Sequence, residues 1–139
     1  MIRVYIDMVA DLFHIGHINL FKKARNIGNY LIVGIHSDSA VKSYKRVPII
    51  NENDRYEIVR QCRLVDQIIT KAPLNITKDF IEKHNIDYVV HGDDKSPALL
   101  KQHQIARELG IMRYIGYTKG ISTTKIINDI QNLNIINES

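Results

Sequence analysis

The chain of 139 residues has one cysteine, Cys62, so no intrachain disulfide can hold it together. It has no apolar run long enough to span a bilayer. The opening MIRVYIDMVAD puts a carboxylate, Asp7, where the apolar core of a secretion signal should continue, so no leader is expected. Stretches rich in glycine, proline or serine that would serve as linkers are missing, as are internal repeats. Blocks of like charge are missing too, since 19 basic and 15 acidic residues are interspersed and leave a net charge of +4. A nucleic-acid track needs clustered basic residues, and this dispersion favours a small anionic ligand instead. What these absences leave is a cytoplasmic protein of one domain, residues 1–139, with no membrane anchor and no nucleic-acid partner.

Hydrophobic residues make up 45% of the chain and charged ones 24%, the balance of a globular domain with a real core. Short, nearly continuous apolar runs read as strands: Ile2 to Ile6, YLIVGIH at 30–36, VDQIIT at 65–70, DYVVH at 87–91 and MRYIG at 112–116. Such runs suit parallel strands covered on both faces. Between them apolar residues recur at helical spacing. Leu20, Phe21, Ala24 and Ile27 make one stripe, Ile58, Val59 and Cys62 a second, and Ile126, Ile127, Ile130 and Leu133 a third. Asn51 is placed to cap a helix over 52–63, with Asp54 three residues on, and Ser122 to cap the last helix. The alternation predicts a doubly wound α/β domain with a five-stranded parallel sheet. Ligands of such sheets sit beyond the carboxyl ends of the strands, where the strand order reverses.

The segment ADLFHIGHINL follows the first strand and opens the first helix. A helix start offers free backbone N–H groups and the positive end of the helix dipole, and Gly16 lets a phosphate come close to the backbone. His14 and His17 can both face that phosphate; alternatively, one caps the helix while the other packs on the sheet. A zinc pair fits less well, because no third ligand is evident and helical metal sites more often space histidines by four. Further on, YKRVPIINENDRYEIVRQCRLVDQII gathers Lys45, Arg46, Arg55, Arg60 and Arg63. Lys45 and Arg46 lie on a loop that can close over a phosphate, and Arg63 is a guanidinium able to clamp one. Arg60 reads as solvated helix face. YTKGISTTKI puts Ser122, Thr123 and Thr124 after a glycine turn, a second helix start with hydroxyls as well as N–H groups. Two such starts in one small α/β domain suggest a polyphosphate held between them. Of the other histidines, His36 and His91 end strands and can line a site, whereas His84 and His103 fall in helices and read as surface residues.

Together and in order, HIGH, RYEIVRQCRLVDQII, HNIDYVVHGDD and GISTTKI resemble the cytidylyltransferase family that acts on phosphocholine, phosphoethanolamine and glycerol 3-phosphate. The likeness covers about residues 2 to 130. HxGH alone is shared with adenylyltransferases and class I aminoacyl-tRNA synthetases, but the chain is too short for a synthetase and lacks a KMSKS-like loop. The resemblance implies a Rossmann-like domain of the HxGH nucleotidyltransferase type. It implies transfer of CMP from CTP to a phosphorylated or phosphonylated alcohol or amine, with release of pyrophosphate. It also implies Mg²⁺ arriving with CTP, no dedicated protein metal site, and a homodimer. Catalytic roles fall to His14, His17, Lys45 and Arg63. The nucleotide would lie against Val9, Ala10, Asp11 and Gly16 on one side, with Asp11 orienting the histidine loop. Gly120, Ile121, Ser122, Thr123 and Thr124 would close around the triphosphate. The acceptor would meet Asp7, His91, Asp94 and Arg113, Asp7 standing where the choline and ethanolamine enzymes place a carboxylate near the amine.

Some positions depart from the family pattern. Met8 and Ala10 stand where glycine and phenylalanine are usual, and Tyr117 replaces an arginine expected to clamp phosphate. Arg113 or Lys119 could return that charge. Leu74 replaces an aromatic residue of the choline enzymes. An aromatic cage is the natural receptor for a quaternary ammonium, so its thinning argues against phosphocholine and leaves a primary amine or a polyol. Two other readings stay open: transfer from ATP, because HxGH does not choose the base, and a nucleotide-binding protein that has lost turnover.

Overall fold

The computed structural model describes residues 1–138, with side chains to Leu133. Strands β1 (Arg3–Met8), β2 (Tyr30–Ile35), β3 (Gln67–Thr70), β4 (Tyr88–Gly92) and β5 (Met112–Ile115) form one parallel sheet in the order β3-β2-β1-β4-β5. Helices α1 (Ile15–Ile27), α2 (Asp38–Lys42), α3 (Glu52–Arg60), α4 (Lys78–Lys83), α5 (Pro97–Gln102) and α6 (Gln104–Glu108) fill the connections, and α7 (Thr123–Glu138) follows the last strand. This is the doubly wound, Rossmann-like arrangement that the alternation predicts. No helix among the described residues is long and apolar enough to cross a membrane.

The apolar runs become strands because both of their faces are covered. Val4 and Ile6 of β1, with Leu31, Val33 and Ile35 of β2, pack against Leu20, Phe21 and Ala24 of α1 and Tyr56 and Val59 of α3. Tyr5 and Ile32 alternate to the other face, where Ile81 of α4 and Ala106 of α6 meet Val89 and Met112. Each large apolar side chain fully withdrawn from water contributes about 1.5–3 kcal/mol. The chain winds from β1 outward to β2 and β3, then returns to β4 on the other side of β1. The loops leaving β1 and β4 therefore part, and a crevice opens at the carboxyl end of the sheet.

The helices differ from their sequence patterns in two places. The helix expected over 52–63 ends at Arg60, so Cys62 and Arg63 lie beyond it. The cause is a distant partner: Asp66 exchanges bonds with Leu31, its N–H donating to the carbonyl at 3.0 Å and its carboxylate accepting the N–H at 2.8 Å. The chain must turn at Cys62 to Val65 to bring β3 against β2. The buried face of α3 is Arg55, Tyr56 and Val59, and Ile58 is exposed. In α7, Ile126 and Ile127 are half-buried, but Ile130 and Leu133 are exposed, so that stripe runs past the edge of the core. The caps are as expected, with Asn51 accepting from the Asp54 N–H and Ser122 from the Lys125 N–H, both at 3.0 Å.

Arg55 is fully buried at the top of α3. Its guanidinium donates to the carbonyls of Ile50 (2.9 Å), Val9 (2.6 Å) and His36 (2.9 Å) and to the Asp38 carboxylate (2.6 Å). One side chain thus fastens the loops that follow β1 and β2 to the helix beside them.

Candidate active site

After β1 the chain passes through Ala10 and Leu12 at φ of 59° and 49°, left-handed conformations that cost a side-chain-bearing residue roughly 1–2 kcal/mol each. Asp11 lies between them, buried, and accepts the N–H groups of Ile49 (2.9 Å) and Ile50 (3.0 Å) while facing the Arg46 guanidinium at 3.5 Å. It therefore ties the histidine loop to the loop carrying Lys45 and Arg46.

His14 is the N-cap of α1. Its Nδ1 accepts the Gly16 N–H, and the Nδ1 of His17 accepts the His14 N–H, both at 3.0 Å. A backbone N–H can only donate, so both Nδ1 atoms are acceptors, and the proton of each neutral ring sits on Nε2. Capping and phosphate contact, alternatives in the sequence, are thus compatible: Nδ1 holds the helix and Nε2–H is left as a donor. A Cβ on Gly16 would sit 2.7 Å from His14 Cε1, so glycine is needed for the ring to fold back over the helix start.

Burial lowers the pKa of His14. Burial first, then the neighbouring His14, lower that of His17 from 6.5 to about 4, against the opposing pull of Asp11. The folded state holds the neutral ring, and the unfolded chain takes up a proton at higher pH. The stability this contributes is complete above about pH 6.5 and is lost as the pH falls toward 4. A series of thermal melts across that window checks the sign. His17→Asn, which keeps a cap acceptor but has no ring to protonate, shows a shallower decline, and an unchanged decline contradicts the assignment.

A pocket of about 680 Å³ occupies the crevice. Asp7, Val9, Ala10, Asp11 and His17 line it from the β1 side, Lys45 from the loop before α3, His91 and Asp94 from the end of β4, and Thr123 and Thr124 from the start of α7. The Thr123 hydroxyl donates to the Asp11 carbonyl at 2.9 Å, which joins the two helix starts. His14 lies beside His17, the two imidazoles 4.0 Å apart between centroids, and Gly16 stands in the first turn of α1. Ile121 reaches the same place, its methyl 3.4 Å from where a Gly16 Cβ would be. Gly120, at φ of 81°, and Ser122 form the turn and cap of α7, both exposed and next to the lining residues Thr123 and Thr124 in the chain. Burial, then Arg46 beside it, lower the pKa of Lys45.

Two expected residues are not brought to this pocket. Arg63 is exposed on the turn beyond α3. Arg113 donates to the carbonyls of Gly110 (3.1 Å) and Met112 (2.9 Å) and stacks on Tyr88, at the amino end of β5 and so away from the crevice. Arg113 therefore does not restore the charge lost at 117. Tyr117 itself lines the pocket, its ring lying where a side chain on Gly92 would be. Burial, then Asp94 and Asp93, push its pKa up to about 12, so it offers a neutral O–H where a cation was expected.

Around Asp7 lies a cluster that composition and spacing did not disclose. His103, expected at the surface, is 1% exposed at the break between α5 and α6. Its Nε2 lies 3.0 Å from Asp7 Oδ1, and His36 Nε2 lies 3.4 Å from Asp7 Oδ2. Burial would raise the Asp7 pKa, but the bonds to His103 and His36 outweigh it and hold the carboxyl well below the usual range. His91 donates Nδ1–H to the Gly92 carbonyl and lies tilted against His103, 4.8 Å between ring centroids, with its pKa lowered chiefly by burial. One oxygen of Asp7 and a ring nitrogen from each of His91 and His103 come within 4.8 Å of one another. That donor set would suit zinc better than magnesium, but the Asp7–His103 bond already joins two of the three groups.

The chain matches the family described as cytidylyltransferase-like over residues 9–129. It is 40% identical over 133 residues to an ethanolamine-phosphate cytidylyltransferase of Dictyostelium discoideum, covering 91% of this chain and 37% of that protein. Choline-phosphate cytidylyltransferase A of Rattus norvegicus is 38% identical, covering 93% of this chain and 36% of that protein. The chain thus spans little more than a third of the length of these relatives. Among solved structures, a lipopolysaccharide core biosynthesis protein from Thermoplasma volcanium GSS1 superposes with a TM-score of 0.72 at 25% identity, covering 86% of this chain and 99% of that one. The match over residues 9–129 and the identity to these relatives show that this chain belongs to the cytidylyltransferase-like family.

Proposed function

We propose that the protein transfers a cytidylyl group from CTP to a small phosphorylated or phosphonylated alcohol or amine. An oxygen of the acceptor phosphate attacks the α-phosphorus, the bond to the β-phosphate breaks, and pyrophosphate leaves. The observation that carries this reading is the hydrogen bond from Thr123 to Asp11, which sets two helix starts on one pocket with Lys45 across from them. The acceptor is already an anion, so no strong base is needed. What the reaction needs is alignment and neutralisation of the charge that develops on the phosphates. The Nε2–H groups of His14 and His17 supply donors that stay neutral near pH 7, and Lys45 supplies mobile positive charge. The names of the curated relatives support cytidylyl rather than adenylyl transfer.

Mg²⁺ belongs to this reading as a companion of CTP. Asp7 is engaged by histidines and Asp94 is exposed, so nucleotide oxygens and water would hold most of the ion's coordination sphere. A cytoplasmic homodimer completes the proposal, with sedimentation as the check on the dimer. The deciding experiment is a matrix of the four nucleoside triphosphates against phosphoethanolamine, phosphocholine and glycerol 3-phosphate, read as pyrophosphate release. CTP alone is expected to turn over. Turnover with ATP, or CTP binding with no turnover for any acceptor, overturns the reading.

A further inference from the structure

We infer that Phe13 is a positioning residue of the candidate site: its ring covers one face of the His17 imidazole and, with the bond at Nδ1, fixes where Nε2–H points. The effect on turnover rests on the cytidylyl-transfer reading above, whereas the effect on the ring does not. The two rings are nearly parallel, 5.3 Å between centroids and 9° between planes, the geometry of an offset stack. Phe13 is held in turn by the core. Its ring lies 5.9 Å from that of Phe21, which is fully buried, and it packs against the cluster between the sheet and α1. His17 and Phe21 stand one turn apart on the same face of α1, so Phe13 bridges them from the loop that enters the helix. A residue before an N-cap commonly packs on the helix to set the angle at which the chain enters it. Any apolar side chain can do that, but here a flat ring lies parallel to the histidine that is the third residue of the helix.

His17 needs such a partner. The His14 N–H holds Nδ1 at 3.0 Å, but one bond leaves the ring free to tilt about it. The imidazole of His14, inclined by 44°, does not lie flat on it either. His17 also lines the pocket, so water reaches it from that side. An apolar ring over one face keeps water from the rest and so favours the neutral form. Neutrality matters twice, because a proton on Nδ1 would break the bond from the His14 N–H as well as change the charge of the donor. Burial is the largest cause of the lowered pKa; of the ionisable groups that face the ring, His14 lowers it further and Asp11 opposes. Lys45 and Arg46, from the loop before α3, and His91 and Asp94, from the end of β4, share the pocket with it. A change at position 13 leaves all of these in place.

The test compares the wild type with Phe13→Leu, which keeps an apolar cover without a flat face, and Phe13→Gln, which brings an amide and water to the imidazole. The ring signals of His17, followed by NMR across pH with no substrate present, read its tautomer and its titration. The wild type and the leucine variant are expected to keep the proton on Nε2 and to titrate at about 4, whereas the glutamine variant titrates closer to the ordinary 6.5. At about pH 8, above either titration, kcat of the glutamine variant falls roughly 10-fold while KM for CTP stays within about 2-fold, the pattern of a donor out of aim in the transition state. The leucine variant falls between the two in kcat. A folded glutamine variant that keeps either the wild-type titration or the wild-type kcat overturns the inference, as does a leucine variant whose ring titrates like that of the glutamine variant. Should the glutamine variant not fold, Phe13→Ala, which opens the same face to water, takes its place. A wild type with no turnover for any acceptor overturns the cytidylyl-transfer reading, and the titration then decides the role of Phe13.

Discussion

In the proposed cytidylyl transfer, replacing His17 with alanine is expected to lower kcat by roughly 10²- to 10³-fold, the scale of losing one preorganised donor. The substitution removes two things at once, the Nε2–H aimed into the pocket and the Nδ1 that accepts the His14 N–H at 3.0 Å. The cap by itself is worth about 1 kcal/mol, which shows in the melting temperature and not in turnover. His17→Asn separates the two. Its amide oxygen stands near the place of Nδ1 and restores the cap, while nothing replaces Nε2. The asparagine variant therefore melts close to the wild type yet stays as slow as the alanine variant. Recovery of kcat along with the melting temperature would mean that His17 serves the helix alone.

Arg55→Met is expected to destabilise the fold by about 3 kcal/mol, because the fully buried guanidinium is the donor to three carbonyls as well as to the half-buried Asp38 carboxylate. The methionine fills much of the same space but leaves the Asp38 carboxylate and the carbonyls of Val9, His36 and Ile50 without their donor. Arg55→Lys does not rescue it, because an ammonium on a flexible stem cannot serve four acceptors in one fork-shaped geometry. For a domain of this size the thermal midpoint drops by roughly 10 °C or more. Urea titration gives the free energy directly, and a loss below about 1 kcal/mol would show that these bonds are replaced by water at little cost.

The sheet was legible because every strand carries its own evidence. Apolar runs such as YLIVGIH are covered on both faces, and burial on both faces leaves no polar alternation to mislead. The two histidines and the threonine-rich helix start were legible for a related reason, since capping chemistry is local. What could not be read depends on partners far away in the chain. The end of α3 is set by Asp66 meeting Leu31, 35 residues apart, and the interior position of His103 by Asp7, 96 residues away. Arg55 looked like one basic residue among several because carbonyl oxygens, its main partners, leave no mark in a sequence. Arg113 was misplaced because strand position alone does not say toward which end a long side chain bends.

The bond from Thr123 to Asp11 spans 112 residues, nearly the whole chain. During folding the strands can pair and both faces of the sheet can be covered while the start of α7 is still undocked. Contacts of such long sequence separation form late, because the entropy of closing so large a loop must be met first. A nascent or partly folded chain would thus acquire its scaffold before its candidate site, and the proposed substrate CTP would add stability only to the last state reached.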